Sequence, residues 1–442
     1  MYSTDGKLSP PAAENIIVSL RAGTPNINSI IHINVDIEAR KAWLDDVKRD
    51  LDKYIMNGYS KVRFIKGDYG VGKTHSMSLI MHYARENNYA VSYISADQVR
   101  LNRYDEIFSA IVRNLEIKGR KDNTLKYLFD NFVIKARREL ESRHGLNDQD
   151  FIVSETKKRI SEFVENMQKT TYDFKNAMLN YMFNFLEMPS GKDWQTDNEN
   201  ILRWFTGMKV PLKELKELRI YSLNDKDNSR DSIKSLADII VNFGFKGMLI
   251  VIDEAEQVLY QSTNAAKMAN NNIRHILDSV DGGGETHYAE RCYILVASTA
   301  EMMSNPEKGF KSYTALWDRI GSVLNEPQFA EFINPRSIII DLDHHKAKVT
   351  QNDLKKIIDN IIRIHSIAYE WEPEKVINEK IIEGITKKAF DMLKRNSPLR
   401  SPVKMIIEIL DLTNNDNSFI KKFDPSGYVF KPERQNYSKW DD

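Results

Sequence analysis

Cysteine is almost absent: of 442 residues only Cys292 carries a thiol. One thiol cannot build an intrachain disulfide framework or a multi-cysteine zinc site, and such scarcity suits a reducing compartment. Long apolar runs are missing too. The longest, MLIVI and CYILVA, have the length of a strand, far short of the roughly 20 residues that cross a bilayer. The first residues, MYSTDGKLSPPAAEN, show no basic-then-apolar signal pattern. A cytoplasmic protein without a membrane segment is expected. Neither sign of charge is in excess, with 63 Lys and Arg against 63 Asp and Glu. That balance excludes a polycation that holds nucleic acid by bulk electrostatics, because counterion displacement needs surplus cations. It leaves room for a local basic patch. The nine histidines show no HExxH or comparable ligand spacing, which argues against a metal other than Mg²⁺.

What is present is an alternation of short apolar runs and amphipathic stretches, in a chain long enough for about three domains. Five β-rich runs, at 61–66, 89–95, 248–253, 293–298 and 337–341, have the near-continuous apolar character of parallel strands covered on both faces. The expected fold is α/β, with a five-stranded parallel sheet. Helical spacing is read in ENIIVSLRAG, which stops at Gly23, and again from Ile37 to about Ile55. More than 150 residues separate the second and third runs. A structureless loop of that length is improbable in a compact domain, so a helical insertion at about 115–235 is expected. The expected layout is N-terminal helices over 1–58, a core over 59–346, a helical domain over 347–412 and an irregular tail over 413–442.

The sharpest motif directly follows the first run: Gly67, Asp68, Tyr69, Gly70, Val71, Gly72, Lys73 and Thr74, then His75. This is the pattern GxxxxGK[ST] between a strand and a helix. Glycines let the loop turn successive N–H groups towards one point at the positive end of the next helix, where phosphate oxygens sit. Lys73 would reach the β- and γ-phosphates and Thr74 would complete a Mg²⁺ shell. From ordinary residue frequencies a chance match in this chain has odds of roughly one or two in a hundred. The second motif is GMLIVIDEAEQV, an apolar strand ending in Asp253 and Glu254. A carboxylate there suits the metal, and its neighbour suits activation of a water for attack on the γ-phosphate. Such a pair favours hydrolysis over transfer to a small acceptor. At the end of YILVASTAE, either Ser298 or Thr299 would orient that water; capping of a following helix is the plainer reading.

Cations that complete the site are less defined. Arg319, in SYTALWDRIGSVL, is a candidate arginine finger across a subunit contact, and Arg274 is a second. Either can instead be a surface arginine, Arg319 pairing with Asp318 or Glu326. Arg400 and Lys404 stand at the start of the last long helix, where a sensing cation would meet ATP. The segments 133–143 and 387–404 are locally basic, and each is either a DNA-phosphate patch or a solvated helix face.

The order of these motifs resembles that of AAA+ ATPases, closest in layout to the branch of origin-recognition initiators. The connecting text is similar to the ATP-binding proteins of BREX phage-defence systems, the BrxD-type P-loop family. It includes ENIIVSLRAGTPN, RFIKGDYGVGKTH, ILRWFTGMKVPLKELKELRI, GFKGMLIVIDEAEQV, NNIRHILDSVDG, YILVASTAEMM and GFKSYTALWDRIGSV, over about residues 12 to 412. The stretch RWFTGMKVPLKELKELRI discriminates most, since no general ATPase motif demands it. The resemblance implies an ATPase that works beside other defence proteins, on or near DNA; with the motifs and the late helices, the expectation is an ATP- and Mg²⁺-dependent switch with a C-terminal helical lid, and an ATP-dependent homo-oligomer is open to it. One departure stands out: where the family pattern has Pro-Arg at the last lid helix, this chain has Pro402-Val403, which displaces the sensing cation to Arg400 or Lys404. The competing readings are a signalling or scaffold NTPase without DNA contact and an initiator- or transposition-type DNA-loading ATPase.

Overall fold

The computed structural model describes residues 8–23, 30, 32–33, 38–144, 148–188, 194–222, 229–278, 289–321, 332–344, 348–394 and 398–423. The chain forms two compact units, one of residues 1–42, 67–79 and 341–442, the other of 43–66 and 80–340.

The larger unit is built on a sheet. Its strands are β1 (Lys61–Lys66), β2 (Ala90–Ser95), β3 (Leu115–Glu116), β4 (Met248–Asp253), β5 (Cys292–Ser298) and β6 (Ile339–Asp341), in the order β3-β2-β4-β5-β1-β6. The pairs β2 with β4, β4 with β5 and β5 with β1 are parallel. All five expected strands are found. The two-residue β3 is a sixth that pairs antiparallel with β2, so the sheet is mostly rather than wholly parallel. Two residues carry no period, and this strand exists only through its partner. Every residue of β4 and β5 is buried, which is why both read as continuous apolar runs rather than alternating ones.

The long stretch between β2 and β4 is helical. It contains helices Tyr104–Arg113, Thr124–His144, Gln149–Glu165, Tyr172–Glu187, Trp194–Phe205, Leu212–Glu217 and Ser229–Asn242. They meet around aromatic side chains: Phe129 lies 5.5 Å from both Tyr181 and Phe205, and Phe132 stacks on Phe163 at 4.1 Å. Off-centre ring packing of this kind adds about 0.5–1.5 kcal/mol per pair beyond burial. The discriminating stretch 203–220 lies within this cluster, where Trp204 donates from its indole N–H to the Ser222 carbonyl at 2.8 Å.

The smaller unit has its own core of helices α1 (Pro10–Ala22), α14 (Gln351–Tyr369), α15 (Glu379–Lys394) and α16 (Arg400–Asn415), the intervening numbers belonging to helices of the larger unit and to α2 (Glu38–Arg49) and α3 (Lys73–Glu86), on which the chain passes between the two. Proline at the first turn and Gly23 in the left-handed region at φ 76° bound α1, as helix-end preferences require. Its buried face, Ala13, Ile16, Ile17 and Leu20, joins Leu354, Ile358 and Ile361 of α14. A polar pin crosses this core: Arg21 donates to Asp411 at 2.8 Å, His365 Nε2 meets Asp411 at 3.1 Å, and the Trp371 indole donates to His365 Nδ1 at 2.9 Å. Composition suggests an irregular tail from 413, but α16 continues to Asn415 and a short helix, Asn417–Lys422, buries Ile420. Residues 424–442 of that tail lie outside the described residues. The expected second helix shortens to α2, followed by a π-turn at Asp50–Tyr54.

A charge is buried in the sheet itself. Arg63 on β1 is 0% exposed, ion-paired to Asp46 at 3.2 Å, and donates to the carbonyls of Ser337 at 3.0 Å and Pro335 at 2.5 Å. Removing one partner of such a group strands the others in a low dielectric. Arg63→Ala is therefore expected to lower unfolding free energy by about 3–5 kcal/mol, measured by denaturant unfolding. A change near that of an exposed pair, about 0–1 kcal/mol, would contradict this role.

Candidate phosphate-binding site

β1 ends at Lys66 and α3 begins at Lys73, so the motif spans one tight strand-to-helix turn. Gly70 and Gly72 adopt φ of 78° and 100°, the region that glycine alone enters without strain. Gly70 has a second reason to be glycine: a Cβ there would run into Pro398.

Four carbonyl oxygens of the loop accept from protein donors. Gly67 O accepts from Lys73 Nζ at 2.6 Å, Gly70 O from the Leu399 N–H at 3.3 Å, Val71 O from the Arg40 guanidinium, and Gly72 O from the Ser76 N–H at 3.0 Å. At the loop's start, the Asp68 N–H donates to the Asp343 carboxylate at 3.1 Å. In a trans peptide the N–H points opposite to the carbonyl, so holding the Val71 carbonyl on Arg40 turns the Gly72 N–H to the other side, whereas the Asp68 and Val71 N–H groups are used within the protein. Gly72 N–H has no partner among the described residues. The residues present therefore fit a phosphate group, with two left-handed glycines, an inward N–H, a lysine and the amino end of a 14-residue helix. Thr74 is exposed, and the Lys73 ammonium lies 5.2 Å from the centre of the half-exposed Tyr69 ring. Among the described residues, no three His, Cys, Asp or Glu side chains gather as a metal site. Magnesium needs no such cage, since it takes one or two protein oxygens and fills its octahedron with phosphate and water.

Asp253 and Glu254 belong to the sheet unit. Asp253 closes β4 with 2% exposure; its Oδ2 accepts from Tyr93 at 3.0 Å and its Oδ1 from the Glu254 N–H at 2.8 Å. Burial, and then the charge of Asp253, push the Tyr93 phenol far above its ordinary range, so Tyr93 stays a donor. Glu254 is itself left-handed, at φ 58°. For a residue other than glycine that conformation costs on the order of 1–3 kcal/mol and clusters at functional sites. Its carboxylate accepts from Ser95 at 3.1 Å. Tyr93 and Ser95 were not legible as site residues, because only the pairing of β2 with β4, Ser95 opposite Asp253, brings them there.

Ser298 and Thr299 separate clearly. Thr299 caps the next helix, Ala300–Ser304, accepting from the Met302 N–H at 3.3 Å. Ser298 lies opposite Lys66, the residue before the loop. It is fully buried, and its hydroxyl has no partner among the described residues. Arg319 and Arg274 converge on one carboxylate, Asp278, at 2.8 and 3.3 Å; Asp318 is not the partner, and Glu326 lies outside the described residues. Arg400 and Lys404 lie over Gly23, at the end of α1.

Residues 8–423 match the family described as BREX system ATP-binding protein BrxC/D, and the chain belongs to that family. No curated protein and no solved structure matches it. The expected resemblance to BREX ATP-binding proteins is thereby established, and with it ATP as the ligand. No helix among the described residues is long and apolar enough to cross a membrane.

His75 makes this site sensitive to acid. Burial, reinforced by the positive charge of Arg40, pushes its imidazole from 6.5 down to about 4. The unfolded chain takes up this proton below about 6.5 and the folded chain only below about 4. Stability is thus complete above 6.5 and is lost as pH falls towards 4, by at most about 3 kcal/mol. Unfolding measured from pH 7 to 4 should show a shallower slope in His75→Asn than in the parent; equal slopes would remove His75 from the linkage.

Proposed function

We propose that this BREX ATP-binding protein is a Mg²⁺-dependent AAA+ ATPase that hydrolyses ATP and works as a switch among other proteins of its defence system. The observation that carries this reading is the loop between β1 and α3, with its two left-handed glycines and a Gly72 N–H opposed to the Val71 carbonyl that Arg40 holds. The strand order supports it as well, since β1, β4 and β5 are parallel and release their carboxyl ends, Lys66, Asp253 and Ser298, along one edge of the sheet. Open α/β sheets bind ligands beyond that edge.

The roles divide by chemistry. The Gly72 N–H, the start of the helix at Lys73 and Thr74, and the Lys73 ammonium hold the phosphates. Thr74 and Asp253 are the oxygens assigned to Mg²⁺, which neutralises phosphate charge when bound. Glu254 takes a proton from water as its oxygen attacks the γ-phosphorus; the bond to the β-bridging oxygen breaks, and ADP and phosphate leave. Ser298 rather than Thr299 orients that water, since the threonine hydroxyl is already engaged as a cap. Arg319 is the stronger finger candidate, more exposed than Arg274 at 42% against 24% and released if a partner nucleotide replaces Asp278 as its anion. The helices over 347–412 act as the lid, the insertion at about 115–235 presents a partner surface, and Arg400 is the displaced sensing cation. ATP-dependent self-association and a cytoplasmic location complete this reading.

A specific observation favours partner proteins over DNA on the insertion. In the basic segment 133–143 Arg137 is bound to Glu141 at 2.8 Å, and Arg159 of the next helix to Glu139 at 3.4 Å. Cations so paired displace few phosphate counterions.

Lys73→Ala should abolish ATP binding in titration calorimetry. Glu254→Gln should bind ATP normally and release phosphate at least about 100-fold more slowly; unchanged turnover would exclude Glu254. Ser298→Ala should slow turnover about tenfold at unchanged affinity, whereas Thr299→Val should act chiefly on melting temperature. Duplex DNA binding across a salt series tests the remaining point: a steep slope would restore DNA as a direct ligand.

A further inference from the structure

Arg40 belongs to no motif. It stands in α2, more than 25 residues before the loop, in a stretch of text that reads as an ordinary amphipathic helix. In the folded chain it is 4% exposed. A buried guanidinium is costly unless it is paired and its five donors are used. Here they are not: its hydrogen bond goes to the Val71 carbonyl, its Nε has no partner among the described residues, and Asp343 and Asp353 attract it only from a distance. Burial outweighs those two carboxylates and lowers its pKa to about 10. As a stabiliser of the fold this is a poor arrangement, since a methionine would fill the space without the desolvation.

As part of the loop it has a clear effect. The Val71 carbonyl and the Gly72 N–H belong to one planar peptide. A Cβ at Gly72 would lie 2.8 Å from the Arg40 Nη1, so the side chain is packed directly behind that peptide. We infer that Arg40 is a positioning residue for triphosphate binding, whose guanidinium holds the Val71 carbonyl away from the mouth of the loop and thereby aims the Gly72 N–H at a phosphate oxygen. Its charge, in a low-dielectric setting, also adds to the positive field of the helix end. Asp343, which accepts from the Asp68 N–H, anchors the other end of the loop and attracts Arg40, so the two form one frame around it. The inference rests on the loop binding phosphate.

Arg40→Met keeps the aliphatic stem and removes the charge and the donors; Arg40→Lys keeps the charge with a single point of contact. Titration of each purified full-length variant with ATP and with inorganic tripolyphosphate is the test, alongside thermal melting without ligand. Arg40→Met should lose about 10- to 100-fold in affinity, the scale of a charge-assisted hydrogen bond, and by the same factor for both ligands, because the effect is on phosphate alone. Arg40→Lys should fall between it and the parent, with both variants melting close to the parent. Parent-like affinity in Arg40→Met would overturn the inference, as would losses in both variants that simply follow a collapsed melting temperature. Lys73→Ala run in parallel separates the two levels: if it still binds both ligands, the loop is not the phosphate site and the functional reading fails, whereas lost binding there with intact binding in Arg40→Met refutes only the role of Arg40.

Discussion

A peptide group cannot present its carbonyl and its N–H to the same side, and the loop Gly67–Thr74 depends on that restriction. To present an N–H group to an anion, the chain must find donor partners elsewhere for the opposing carbonyl oxygen. It finds them in Lys73, Ser76, Leu399 and Arg40, two of them near in sequence and two far away. The near ones come with the motif. The distant ones require that Arg40 of α2 and the start of α16 fold into the same unit as the loop, so the helical core that unites α1, α14, α15 and α16 is part of what shapes the loop.

The strand end at Asp253 and Glu254 rests on a different constraint, the burial of β4. Six consecutive buried residues carry the chain to Asp253, and a carboxylate at such a place must be compensated. Tyr93 and the Glu254 N–H do so, and the left-handed turn at Glu254 sends the second carboxylate to Ser95 instead of continuing the strand. One acid is thereby held by Tyr93 and a backbone N–H among its partners, and its neighbour is left half-buried. Ser298, buried and without a partner among the described residues, ends the adjacent strand; such an orphan hydroxyl is retained more readily for a ligand than for the fold.

Charge is distributed by the same logic. The chain sums to zero, yet its buried ions do unlike work. Arg63 uses its fork on Asp46 and two carbonyls and ties β1 to the segment at 335–337. Arg40 is almost unused by the fold and acts on the loop. Of the surface cations, Arg137 and Arg159 are held by glutamates.

The sequence by itself determined the α/β class, the apolar strands of the sheet and the glycine-rich turn between β1 and α3, because strand burial and loop geometry each impose a local pattern: continuous apolar runs in one case, glycines at fixed offsets before Lys and Thr in the other. It also carried the BREX family signature. What it left open was decided by pairing across long distances. The strand β3 is two residues long and has no pattern of its own. Ser298 and Thr299 are chemically alike in the text, and only the start of the next helix shows which hydroxyl is already engaged. Arg319 and Arg274 look independent until both reach Asp278. Arg40 is one charged residue of an amphipathic helix until the fold seals it behind Gly72. In each case the deciding partner lies many residues away, and no local period encodes a contact made only by tertiary packing.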